Sequence, residues 1–418
     1  MIRRCLVVAV LAACDGAETA SPSWRAGGAT RDPREEDASA PPPARSAIHH
    51  VLSTGQSLAV GAGGEPALSL AQPFANRMFD RGVMPGGEDL LRFVPLVEAT
   101  TETMSSSFAN LVTQLSRARG PSHDLLVSVH GVSGAPYRLL EKGTPAYADG
   151  IAQVKAAIAI ARERDLDYEV TAVTTAHGAT DHVEKNARYA EDLAAWQRDY
   201  ETDVNALTGK KRVIPLFQTQ YSSFTIYDPT SSIPIAQLRA HVEGRGRVVV
   251  VAPRYPLIYG PDGVHLTNEG YRLLGEYHAK AYQRVVVEAG TWEPLRPKRV
   301  TRDGASITVE MIVPAPPLVL DTTLASDPGN MGFEYVDDGP TPAIAGVALA
   351  GPTTVTITLA SEPTGANKRL RYAYTGALGA KAGLRSGARG NLRDSDATPS
   401  RHGFALFNWC VHFDEAVP

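Results

Sequence analysis

Between Ser46 and about Gly290 the chain alternates short apolar segments with amphipathic ones, and no other feature narrows its possible folds so far. Ile48 to Ser53, Asp124 to His130, Tyr168 to Thr174, Arg212 to Thr219 and Arg247 to Ala252 are brief, apolar and β-branched, the composition of strands buried on both faces. Between them Phe108, Leu111, Val112 and Leu115 recur at helical spacing after Ser107, read as a cap. Tyr189, Leu193, Trp196, Tyr200 and Val204 do the same. The alternation predicts an α/β domain over residues 46–290, a parallel sheet with helices on both faces. Ligands of such sheets bind at the carboxyl ends of the strands. Ser57, Gly131 to Gly134, His177 and the segment Asp262 to His265 all fall there.

The N-terminus is of another kind. Arg3 and Arg4 precede an apolar run, Leu6 to Ala13, too short to span a bilayer as a mature helix, and Leu11-Ala12-Ala13-Cys14 places small residues before a cysteine. Residues 1–13 therefore read as a signal peptide. The pattern resembles the bacterial lipobox, which implies acylation of Cys14, export, and a lipid anchor in the cell envelope; the choice of membrane stays open. Residues 14–45 are rich in Ala, Ser, Pro, Gly and charge with almost no large apolar groups, the composition of a flexible tether. Cys5 leaves with the leader and Cys14 is taken by lipid, so Cys410 has no disulfide partner. Lys+Arg 41 against Asp+Glu 45, a net charge of −4 without a long basic block, argues against a nucleic-acid partner.

Two segments about two hundred residues apart carry the chemistry. Gly55-Gln56-Ser57 follows the first strand, and Asp262-Gly263-Val264-His265-Leu266 precedes a helix-like run. A serine hydroxyl is a weak nucleophile at neutral pH; an imidazole must take its proton, and a carboxylate usually holds that imidazole in the right tautomer. Ser57, His265 and Asp262 supply those three groups.

On these residues the chain resembles the SGNH, or GDSL-type, hydrolase superfamily, and within it the sialate O-acetylesterase-like and acetylxylan-esterase-like carbohydrate esterases whose first block reads G-Q-S. The resemblance spans about 245 residues. It implies a flavodoxin-like three-layer domain, with Ser57 as nucleophile, His265 as general base and then acid, and Asp262 orienting His265. It implies an oxyanion hole from the backbone N–H groups of Ser57 and of Gly134, in Val132-Ser133-Gly134. The family's third block normally adds an Asn or Gln side chain; here His177-Gly178-Ala179-Thr180-Asp181 stands in its place. A neutral imidazole can donate one hydrogen bond, so His177 is the expected third donor. Gln56 and Asp181 are expected to support these loops. No metal or organic cofactor is implied, and the expected substrate is an acylated saccharide, acetyl by resemblance alone. The acyl length leaves a lipase or thioesterase open, and His177 leaves open a catalytically weak polysaccharide-binding lipoprotein. His177, Asp181 and His182, with His130 on a neighbouring strand, define a rival metal site; His49, His50 and His123 read as strand-edge or surface groups.

After Trp292 the pattern changes. Ala305 to Val313, Leu318 to Leu320, Thr353 to Leu359 and Arg369 to Tyr374 are β-rich and separated by Pro, Gly and Asp turns, which predicts an antiparallel β-sandwich over residues 291–418. The tail Phe404 to Val411 is apolar enough to be buried, with Trp409 and Cys410 as core residues.

Overall fold

The structure, a computed structural model, describes residues 47–418; the leader 1–13, Cys14 and the tether to residue 45 lie outside the described residues. Its main sheet has strands β1 (Ala47–Gly55), β2 (Arg77–Phe79), β3 (Phe93–Pro95), β4 (Leu125–Val129), β5 (Asp167–Ala176), β6 (Leu216–Gln220) and β7 (Val248–Pro253). They lie in the order β3-β2-β4-β1-β5-β6-β7. All adjacent pairs are parallel except β2 with β3. Without the β2–β3 hairpin the order is that of a flavodoxin-like sheet, and the chain reverses its direction of travel at β1, between β4 and β5. The residues after β1 therefore open into the crevice where such sheets bind ligands.

β4, β6 and β7 are buried along their whole length, because helices cover both faces. Alternate residues of one strand enter different cores. Ile48 and Leu52 of β1 and Leu126 of β4 pack with Val154 of α2 (Pro145–Glu163) and Leu193 and Trp196 of α4 (Tyr189–Thr208). Val51, Val127 and Val129 pack on the opposite face with Phe108, Leu111 and Val112 of α1 (Ser105–Arg117) and Leu274 and Tyr277 of α6 (Asn268–Tyr282). The short α3 (Ala179–Val183) follows β5, and α5 (Ile233–Gly244) precedes β7.

Several local expectations need correction. Ser107 lies inside α1, not at its cap, and its hydroxyl donates to Met104 O. The helix start is held instead by Thr103 Oγ1, accepting from Ser105 N, and Glu98 Oε1, accepting from Ser106 N. β6 begins at Leu216 rather than Arg212; Pro215, with no N–H, cannot donate to the ladder. His50 is not an edge residue: its ring is fully buried between Tyr168 Oη at 2.7 Å and Ser128 Oγ at 2.8 Å.

The C-terminal third is antiparallel. A four-stranded sheet runs β12 (Ile344–Gly351), β13 (Thr354–Leu359), β9 (Ser306–Ile312), β8 (Arg296–Asp303), and a three-stranded sheet runs β11 (Phe333–Val336), β14 (Arg369–Tyr372), β16 (Phe413–Ala416). β10 (Val319–Leu320) pairs with β15 (Leu392–Arg393). β9 alternates buried and half-buried residues, as a sheet with one covered face must. Ile307, Val309, Val355, Ile357, Phe333, Leu370, Tyr372 and Phe413 form one core between the larger sheets, and Leu238, Val250 and Tyr255 of the α/β part belong to the same cluster. Trp409 and Cys410 are buried within it. No helix among the described residues is long and apolar enough to cross a membrane.

Candidate active site

β1 ends at Gly55, whose φ of +125° and a would-be Cβ only 2.7 Å from Ala176 O exclude any side chain. This close approach turns the chain sharply, so that Gln56 and Ser57 sit at the switch point. The turn closes with Ala62 N donating to Ser57 O at 3.1 Å. Beyond it, the Cβ position of Gly63 lies 3.0 Å from His265 Cβ, and Tyr271 Oη of α6 donates to Ala62 O at 2.6 Å. The turn that carries Ser57 is thus packed against the segment that carries His265.

That segment is a tight loop between β7 and α6. Gly260 N donates to His265 O at 2.8 Å and Thr267 N to Ile258 O at 3.0 Å, while Thr267 caps α6 by accepting from Gly270 N. Inside the loop, Asp262 Oδ1 accepts from Val264 N and His265 N, both at 3.0 Å, and Oδ2 lies 2.6 Å from His265 Nδ1. Partial burial by itself raises the Asp262 pKa, but those two backbone donors and the imidazole outweigh it and hold the carboxyl below its ordinary range. The carboxylate therefore stays ionised and fixes the Nδ1–H tautomer, which turns Nε2 into the acceptor. Among the described residues, neither His265 Nε2 nor Ser57 Oγ has a hydrogen-bond partner. Ser57 is 5% exposed, whereas the side chains of His265 and Asp262 are 32% and 51% exposed, so the site opens on the histidine side.

The loop after β4 lies against the same turn: Val132 N donates to Gly55 O at 2.9 Å. Gly134 has a φ of +73°, and its carbonyl accepts from Thr180 Oγ1 at 2.9 Å. Among the described residues no acceptor takes the N–H of Ser57 or of Gly134. Gln56 supports the turn from below. Its Oε1 accepts from Gly178 N, Ala179 N and Thr180 N at 3.0–3.4 Å, tying the start of α3 to the Ser57 turn. Asp181 is buried as well. Its Oδ2 accepts from Tyr137 N at 3.1 Å and its Oδ1 from Asn186 Nδ2 at 2.7 Å.

His177 does not meet the expectation of a third donor. Its side chain is fully buried, with Nδ1 2.7 Å from Tyr189 Oη and Nε2 3.1 Å from Ala135 O and 3.4 Å from Asp181 Oδ2. Burial lowers its pKa against the opposing pull of Asp181, and the neutral ring gives its one N–H to Ala135 O. It has nothing left for an oxyanion and instead holds the loop that carries Gly134. The other rival ligands are likewise engaged. His182 Nδ1 is 2.9 Å from Ser231 Oγ, and its Nε2 3.1 Å from Asp228 Oδ2; His130 Nε2 is 2.7 Å from Tyr200 Oη. The described residues contain no group of three His, Cys, Asp or Glu able to hold a metal ion.

Two participants escape the sequence. Tyr189 orients His177, and Arg254, fully buried just beyond β7, donates from Nη2 to His177 O at 2.6 Å and lies over the Tyr221 ring. A charged residue directly after Val248-Val249-Val250-Val251-Ala252-Pro253 was the available signal for Arg254; Tyr189 looked like one more apolar position of α4.

The α/β sheet with added antiparallel sheets has a counterpart of the same fold among solved structures. A carbohydrate acetylesterase from Xanthomonas citri superposes with a TM-score of 0.56 over 88% of this chain and 80% of its own, at 15% identity. A protein from Arabidopsis thaliana matches 56% of this chain and 98% of its own, at 18% identity and a TM-score of 0.43. Est24, a carbohydrate acetylesterase from Sinorhizobium meliloti, matches 56% of this chain and 97% of its own, at 14% identity and a TM-score of 0.32. No protein-family model and no curated protein sequence matches the chain.

Proposed function

We propose that the protein is a serine esterase that removes acyl groups, acetyl in the first instance, from an O-acylated carbohydrate. The observation that carries this reading is the Asp262–His265 pair, closed at 2.6 Å with Nε2 left free, packed through Gly63 against the turn bearing Ser57. In the reaction His265 Nε2 takes the Ser57 hydroxyl proton while Oγ attacks the ester carbonyl. The N–H groups of Ser57 and Gly134 receive the oxyanion, and collapse expels the sugar oxygen, which takes the proton back from His265. Water, deprotonated by the same nitrogen, then attacks the acyl-Ser57 ester and releases the acid. Asp262 stabilises the imidazolium formed on the way.

The shared fold of the Xanthomonas citri carbohydrate acetylesterase supports the choice of a saccharide ester. The test is hydrolysis of p-nitrophenyl acetate and longer-chain analogues, then of acetylated polysaccharides, by the parent and by Ser57→Ala. Turnover that falls with chain length and disappears in the variant is expected; turnover untouched by Ser57→Ala would sink the proposal. Export and lipidation of Cys14 belong to the same reading, and the mass of the mature N-terminal peptide tests them.

A further inference from the structure

The C-terminal third reaches the catalytic turn through one loop. We propose that Lys381, in the segment Gly376 to Gly387, is a positioning residue that fixes the Asp262–His265 turn, so that the β-rich third forms part of the catalytic centre. The proposal rests on the esterase reading above.

The loop is anchored along its length. Gly376 N donates to Pro229 O at 2.9 Å, Gly379 N to Thr225 O at 2.6 Å, and Thr225 Oγ1 to Ala380 O at 2.7 Å, so the first half is stitched to the segment after β6. Ser326 N donates to Leu384 O at 3.0 Å and Arg389 Nε to Ser326 O at 2.9 Å, which fastens the second half to the β-rich part. Lys381 sits between these anchors. Its Nζ donates to Pro261 O, and its own backbone and stem lie on Gly263, where an added Cβ would stand 2.5 Å from Lys381 Cβ and 2.9 Å from Cα. Pro261 and Gly263 flank Asp262. The turn that aims His265 is thus held from inside by the Asp262 hydrogen bonds and from outside by one lysine.

This placement matters because Asp262 and His265 are substantially exposed. An exposed turn has few packing partners to define it, and a misplacement of about 1 Å at a reacting group costs on the order of 10²-fold in rate. A contact against Gly263 and Pro261 removes that freedom without touching substrate.

The test compares Lys381→Ala, Lys381→Met and Lys381→Arg in the full chain. Removing both stem and ammonium is expected to lower kcat about 10-fold with KM within about twofold of the parent. Met, which keeps the stem, should fall between, and Arg should restore most of the rate. The low-field proton resonance of His265 Nδ1, read by NMR, should shift or broaden in Lys381→Ala while the thermal midpoint stays in place. An Ala variant with kcat within about twofold and an unaltered resonance overturns the proposal. So does a fall in kcat that tracks a lowered midpoint with the resonance unchanged, since Lys381 is then only a stabilising contact. A parent that cleaves no ester overturns the esterase reading instead, and the resonance still decides for or against Lys381.

Discussion

Gln220, the last residue of β6, exchanges two hydrogen bonds with His412: its Oε1 accepts from His412 N at 2.7 Å and its Nε2 donates to His412 O at 2.9 Å. Ser222 Oγ adds a contact of 2.7 Å to His412 Nε2, and Tyr255 Oη donates to Cys410 O at 2.8 Å. The tail is joined to the α/β sheet by buried polar bonds as well as by a common core. Residues 46–290 alone would therefore expose unpaired polar groups and part of an apolar cluster, and such a truncation is expected to be insoluble or unfolded. Gln220→Ala in the full chain should cost about 2–4 kcal/mol, because two buried backbone groups lose their partners; urea unfolding measures it, and a single transition is expected.

Asp262→Asn should leave the fold intact and reduce kcat by about 10³–10⁴-fold, since an amide can stabilise the wrong imidazole tautomer and cannot neutralise the imidazolium. Burst and steady-state kinetics on p-nitrophenyl acetate check this. A loss under about tenfold would mean that His265 is oriented by something other than Asp262.

His177→Asn tests the revised role of the imidazole. If the ring were an oxyanion donor, an amide would replace it with little loss. Wedged instead against Tyr189 and Trp196 with both nitrogens partnered, it should leave a cavity and unpaired groups, a destabilisation of about 2–4 kcal/mol. Denaturant midpoints and kcat measured together separate the two cases.

Stability should peak in a window near neutral pH. Burial lowers the pKa of His50 to about 3 and of His130, His278 and His412 to about 4. The unfolded chain therefore binds protons first as pH drops below about 6.5, and stability falls with it. On the other side, burial and then the neighbouring Glu102 raise Glu98 to about 8. Its contribution is complete below the ordinary carboxylate range and is lost as pH rises through about 8. Glu98→Gln should flatten the decline up to about pH 8 and steepen the acid limb above about pH 4.5, as chemical denaturation from about pH 4 to about pH 10 would reveal.

The parallel sheet was legible because its strands are uninterrupted β-branched runs, as in Val248-Val249-Val250-Val251, and because strand and helix periodicities differ. β2 and β3 were not, since strands of three residues carry no period. The turn bearing Ser57 and the loop that joins Asp262 to His265 could be located from local sequence because a glycine turn and an Asp-x-x-His loop have local signatures. His177 misled because residue type says what a side chain can donate, while burial decides to whom; Tyr189 and Ala135 are 12 and 42 residues away. Lys381 was invisible for the same reason, with its acceptor 120 positions upstream.

The stitch between Gln220 and His412 spans 192 positions and gives the catalytic centre a schedule. Strands β1 to β7 are all synthesised by Pro253, yet the Gln220 amide lacks its two His412 partners and the Asp262 turn its outer brace until the last part of the chain arrives. Long-range pairing of this kind is slow and comes late. In the nascent polypeptide the Asp262 turn and the Gln220 amide thus wait for contacts that only the last third of the chain can make.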